Sequence, residues 1–167
     1  MEINALLCDH AESAEGKLFI NGGGVNLLYV QPQPPYVISI FVAVVVHVPY
    51  TATNVEHTVA VRLLDEDSNA VSPWAPDGVP TQPPVETVTT FNVGRPAGLP
   101  PGETQTLPLA FGLQGLPLSR LGTYVFAIEV DGEAQKQLTA RVLVDPRQAG
   151  PAAPSGPSGP ASIPGLS

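Results

Sequence analysis

The chain has 167 residues, of which 20 are Pro and 16 are Gly, together close to twice the ordinary share of roughly 12%. That excludes a helical bundle or coiled coil, because helix interiors tolerate neither residue. Hydrophobic residues at 43% suffice for a real core, whereas 15 acids against 7 bases leave no basic stripe for phosphates, which excludes nucleic acid as a partner.

At the start, Met1-Glu2-Ile3-Asn4 lacks the positive charge that opens a secretory signal, and Ala5-Leu6-Leu7-Cys8 is too short for its apolar region. No later stretch reaches the roughly 18–20 continuous apolar residues of a membrane span. Cys8 is the single cysteine, so no internal disulfide can form. The expectation is a cytoplasmic protein with no membrane partner.

Short apolar segments separated by turn residues follow. Ile3–Asp9 reads as a strand, then Lys17–Asn21 and Val25–Tyr29 on either side of Gly22-Gly23-Gly24. Tyr36–Val48 is the longest, rich in β-branched residues and bounded by Pro34-Pro35 and Pro49. His57–Asp65 alternates, with His57, Val59, Val61 and Leu63 on one face. Asp65-Glu66-Asp67-Ser68-Asn69 makes a polar turn into a short strand at Ala70–Ser72, and Pro73–Pro84 reads as a loop. Val85–Val93, Thr104–Phe111, Thr123–Val130 and Gln137–Val144 complete the set, the last two joined across the hairpin signal Asp131-Gly132. From Gln148 to Ser167 the composition is almost wholly Pro, Gly, Ser and Ala. Such a segment has too little surface to bury and reads as a disordered tail, leaving one domain over residues 1–147.

Gly122-Thr123-Tyr124-Val125-Phe126 places a Tyr just after a loop and two residues before an inward apolar residue. Immunoglobulin-like sandwiches use that arrangement for a tyrosine corner, in which the phenol bonds back to the preceding chain. The predicted fold is all-β, an immunoglobulin-like Greek-key sandwich of about 8–9 strands with long Pro/Gly-rich loops.

Reactive constellations are few. Cys8 and His10 share a strand face but sit among Asp9, Glu12 and Glu15, a poor setting for a thiolate. They read as a buried inert Cys and a strand-end His. Asp65-x-Asp67-x-Asn69 opens like a calcium loop, yet Ala70 stands where the sharp turn needs Gly and Pro76 where a bidentate Glu is needed. A cation site drawing Asp65 and Asp67 together with Asp131 and Glu133 requires that the two turns meet. The Gly-rich turn at 22–24 precedes no helix pattern and is no phosphate loop. His57, on an apolar face, reads as a satisfied core or turn histidine. No catalytic, cofactor or metal residues are assigned.

The long segment is unusual because both of its faces are apolar. Ile38, Ile40, Val42, Val44, Val46 and Val48 alternate with Val37, Ser39, Phe41, Ala43, Val45 and His47. A two-layer sandwich buries only one face of a strand. The second face therefore needs loops, another layer or a partner chain over it, and Phe41 and Val45 are the centre of any partner contact.

Ala5-Leu6-Leu7-Cys8-Asp9-His10-Ala11, followed by Gly16-Lys17-Leu18-Phe19-Ile20-Asn21-Gly22-Gly23, resembles the opening of an uncharacterised bacterial family, a domain of unknown function. His57-Thr58-Val59-Ala60-Val61 with Asp65-Glu66-Asp67, and Gly122-Thr123-Tyr124-Val125-Phe126 with Val130-Asp131-Gly132, are similar to it too, so the likeness runs over residues 3–145. It implies a small soluble β-sandwich and carries no activity, cofactor or catalytic residue. The functional expectation is a non-enzymatic protein-binding or structural domain whose partner is another protein or a second copy of itself. The competing reading is a loop-borne ligand or calcium-binding module.

Overall fold

The computed structural model describes residues 1–98 and 100–148. The expected tail at 148–167 lies, from residue 149 onward, outside the described residues. Nine strands form two sheets: β1 (Glu2–Ala14), β2 (Lys17–Gly23), β3 (Leu27–Val30), β4 (Tyr36–Val48), β5 (Glu56–Asp65), β6 (Glu86–Asn92), β7 (Gln105–Leu118), β8 (Gly122–Val130) and β9 (Glu133–Val144). The first sheet has the order β2-β1-β4-β7 and the second β3-β9-β8-β5-β6. All pairings are antiparallel except that of β3 with β9. The chain changes sheet repeatedly, notably from β4 to β5, from β6 to β7 and from β7 to β8. This order is compatible with an immunoglobulin-like Greek key.

One core lies between the sheets. The six even residues of β4 from Ile38 to Val48 are buried in it, facing Val59, Val61 and Leu63 of β5 and Phe126, Ile128 and Val130 of β8. The alternation read in His57–Asp65 is therefore the inward pleat of β5. Tyr124 is buried at the start of β8, and its phenol donates to the Arg120 carbonyl at 2.7 Å. That bond back to the preceding chain is the one expected of a tyrosine corner. Asp131 and Gly132 both take positive φ (53° and 79°), so the β8–β9 connection is the two-residue hairpin that an Asp-Gly pair favours.

Several elements differ from expectation; β9, for one, begins at Glu133 rather than Gln137. Ala70–Ser72 is no strand; it contributes one isolated bridge, from Ala70 to Leu64, because the chain is diverted at once into the Pro-rich loop. Strand β7 runs seven residues past Phe111, through Gly112, Gly115 and Pro117. Gly115, at φ 63°, forms a bulge where the register with β4 shifts, and its N–H donates to Ser39 Oγ at 3.0 Å. Pro117 and Pro108 are tolerated because β7 is a sheet edge. Strand β1 continues five residues past Asp9, to Ala14, paired there with β2. The one helical turn among the described residues is a 3-10 turn at Tyr50–Ala52. No helix among them is long and apolar enough to cross a membrane.

Candidate functional site

The second apolar face of β4 is covered in its middle by the protein's own first hairpin. Strand β1 pairs with β4 only from Glu2 to Cys8, where Cys8 opposes Phe41. Beyond Cys8 it pairs with β2 alone. The two strands then leave the sheet as an arm. Ala11 is buried against Cys8 and Ala43, with Leu6, Leu18, Phe41 and Ala110 around them. Ser13 Oγ donates to the Pro108 carbonyl at 2.9 Å. Pro108 lies on β7, on the far side of β4, so the arm crosses the outer face of β4 to reach the next strand. Small side chains on the arm's inner side (Ala11 and Ser13) permit that close approach.

The bend that starts the arm is built from glycine. Gly22 takes φ +62°, and a Cβ there would stand 2.0 Å from Asp9 Oδ2. Gly24 takes φ +87°, and its N–H donates to the Leu7 carbonyl at 2.8 Å. The positive φ at Gly22 and Gly24 has a purpose: it redirects the hairpin across the sheet.

Phe41 and Val45 are each half-buried on this outer face. The Phe41 ring lies across Gly112, where a Cβ would meet it at 2.9 Å. His10 packs edge-on against the same ring, with centroids 4.8 Å apart. Cys8 is fully buried beneath the arm, and its thiol donates weakly to the Phe41 carbonyl at 3.7 Å. Burial, and then the charge of Asp9, push that thiol above its ordinary pKa. Cys8 and His10 thus meet at Phe41, the thiol at its carbonyl and the imidazole at its ring.

On its other side the arm presents Phe19 to solvent, 55% exposed, while Ile20 shares the inner face with its partner Ala11 and is still 43% exposed. Both lie on β2, which is an edge strand. The opposite edge of the same sheet, β7, carries Pro108 and Pro117, which interrupt further pairing. Edge β3 has only four residues.

At one end of the sandwich a polar cluster ties three segments together. His57 is buried at the start of β5. Its Nδ1 lies 2.8 Å from Asp131 Oδ2 and its Nε2 lies 2.8 Å from the Ala52 carbonyl. Burial opposes the charged ring, but the Ala52 carbonyl and the Asp131 carboxylate outweigh it and raise the His57 pKa above its ordinary value. Beside them Arg95 stacks over Tyr50, its Cζ 4.1 Å from the ring centroid, and donates to the Tyr50 carbonyl and to Thr53 Oγ1. This cluster is the satisfied histidine that the apolar face of β5 led one to expect.

The two acidic turns do not meet. Asp65 pairs with Tyr124 at one end of β5, while Val59 pairs with Val130 near the other, six residues or about 20 Å of strand away. Asp65 Oδ1 accepts from the N–H groups of Asp67 and Asn69, and the Asn69 side chain donates to both of its oxygens. The carboxylate is spent on its own turn, which holds its pKa below the usual range, the Asn69 N–H foremost. Asp131 is likewise held by Thr58 and His57. Among the described residues no three His, Cys, Asp or Glu side chains are grouped to hold a metal ion.

Comparison with family models matches residues 4–143 to the family described as "Family of unknown function (DUF6941)". The chain belongs to this family. The matched span is close to residues 3–145, over which the opening motif and the later turns resemble such a family. The family's description names no activity, so it assigns no role to any residue. No curated protein and no solved structure matches the chain.

The arm itself was missed by sequence reasoning. His10-Ala11-Glu12-Ser13 lacks large apolar residues and reads as the polar end of a strand. The signal that points to it is the small-residue alternation of Ala11 and Ser13 set against the Gly22–Gly24 run.

Proposed function

We propose that this is a non-enzymatic protein-binding β-sandwich whose contact surface is the β2 edge of the β1–β2 arm, with Phe19 on its outer side, Ile20 on its inner side, and Phe41 and Val45 behind the arm. The observation that carries the reading is the adjacent exposure of Phe19 and Ile20 on an edge strand without a proline. Such an edge offers both a row of backbone donors and acceptors and an apolar anchor, the two components of strand-addition recognition. The partner is another protein, a second copy included.

The groups most suited to chemistry are engaged in packing or turns. Cys8 lies beneath the arm with its thiol pKa raised, His57 is held between two acceptors, and Asp65 and Asp131 serve their own turns. These commitments favour a binding role over catalysis, and they give the calcium reading no support.

The double variant Phe19→Glu/Ile20→Glu tests the proposal. Light scattering and affinity capture from the native cells are compared with wild type, and circular dichroism checks the fold. The expected result is a folded variant whose association, with itself or with the captured partner, is lost, because a buried unpaired charge is far costlier than an exposed one. An unchanged association would overturn the arm as the contact.

A further inference from the structure

At the end of the sandwich away from His57, a cavity of about 350 Å³ opens between the Pro-rich loop after β5 and the loop that enters β8. That volume is within the range of small-ligand sites, roughly 300–1,000 Å³. Both walls are fixed by hydrogen bonds. The Trp74 N–H donates to the Pro117 carbonyl at 2.8 Å, and the Tyr124 phenol donates to the Arg120 carbonyl at 2.7 Å. The cavity is therefore largely preformed and loses little entropy on filling.

Its lining combines Trp74, the single tryptophan of the chain, with four charged groups: Asp65, Glu66, Asp67 and Arg120. Two of these offset each other. Asp65 is spent on the Asn69 turn, and the charge of Arg120 adds to the forces that keep its carboxyl ionised. Glu66 and Asp67 are exposed at the rim, and neither enters an ion pair among the described residues. The surplus charge is thus negative and stands beside an indole. A metal ion has no use for the indole and finds no cluster of three ligands among the described residues. An organic cation uses both, its charge against the carboxylates and the indole face, its stem against apolar surface.

The geometry points to a binding site for an ammonium or guanidinium group on an apolar stem, seated in the Trp74 cavity with Glu66 and Asp67 at its rim. This site stands apart from the arm, so it holds or fails independently of the protein contact proposed there.

Trp74 supplies the readout, since all indole fluorescence comes from the cavity. Wild-type protein is titrated with arginine amide and with its neutral isostere, citrulline amide. The expected result is a saturable change with the first and none with the second. Added salt should weaken the change. Glu66→Gln/Asp67→Asn, confined to exposed positions, should weaken binding severalfold. Trp74→Leu, followed by calorimetry, should weaken it roughly threefold to thirtyfold, the range of a cation–π contact. A third titration with the peptide amide Gly-Gly-Arg-Gly-Gly separates two sources of the same chemistry. Tighter binding of the peptide assigns the cation to a polypeptide side chain, and tighter binding of arginine amide assigns it to a free small molecule. No response to either arginine compound, an equal response to citrulline amide, or indifference to Glu66→Gln/Asp67→Asn would overturn the site.

Discussion

Asp131 Oδ2 stands 2.8 Å from His57 Nδ1, while the Ala52 carbonyl stands 2.8 Å from the Nε2 of the same ring. Both neighbours are acceptors, so the ring satisfies both only as an imidazolium that donates from each nitrogen. The hairpin turn of β8–β9 and the 3-10 turn after β4 are in this way tied to the start of β5 by one proton-dependent group.

Stability should therefore fall as pH rises through neutrality. The His57 pKa is raised in the folded state, so its contribution is complete below the unfolded value of about 6.5 and is lost as pH climbs through the folded value. The Asp131 pKa is lowered, burial opposing the shift and the Thr58 N–H and His57 producing it. Its contribution is present above about pH 4 and lost as pH falls further. Urea unfolding at pH 5.5 and at pH 8.5 should show wild type more stable at the lower pH and His57→Gln nearly indifferent. His57→Ala, which leaves the Ala52 carbonyl unpaired, should cost about 1–3 kcal/mol.

Gly22→Ala should free the arm and spare the sandwich. The new Cβ requires Asp9 to swing away and places Ala at φ +62°, a penalty of about 1 kcal/mol or more. Amide hydrogen exchange checks this: residues 9–23 should lose protection while β5 and β8 keep theirs.

Phe41→Glu places a carboxylate beneath the arm, among Cys8, Ala11 and Ala43. The even face of β4 is untouched, so the sandwich should stay folded while the arm lifts. Cys8 reports the change, being fully buried in the native arm. Its labelling by a thiol reagent should speed up by about tenfold, as expected if closing the arm is worth about 1.4 kcal/mol less. Wild-type labelling rates in a variant with native circular dichroism would show that Phe41 does not hold the arm.

Millimolar calcium should leave the thermal midpoint unchanged, since a ligand bound only by the folded state must raise it. The carboxylate of Asp65 already takes the N–H groups of its own turn, and Asp131 lies at the other end of β5. A rise of several degrees, abolished in Asp65→Asn/Asp67→Asn, would show that the turn opens to take the ion.

Much of the fold was legible because its signals are local. The twofold alternation of His57–Asp65 is the pleat of β5, Asp131-Gly132 is a turn requiring two positive φ angles, and Tyr124 is fixed by a bond to a residue four positions earlier. The segment Tyr36–Val48 was delimited to the residue by its flanking prolines. The second half of β7 was hidden because Gly112, Gly115 and Pro117 read as a loop. Their reasons lie elsewhere in the chain: the Phe41 ring needs the space at Gly112, and the register with β4 needs the bulge at Gly115. The arm was hidden for a similar reason. Nothing near Ala11 in sequence indicates that Ala43 and Pro108 lie beneath it. The unusual second face of β4 did signal that something must cover it, and the covering element proved to be a hairpin of the same chain.

The contact proposed on the arm is tested most directly by placing a photoreactive residue at position 19 and, in a second protein, at position 88. Phe19 is 55% exposed and Val88 52% exposed, each on an edge strand, but on different sheets. Irradiation in the native cells should give a discrete protein adduct from position 19 and none from position 88. Equal adducts from both positions, or an adduct from position 88 alone, would contradict the assignment of the β1–β2 arm as the binding surface.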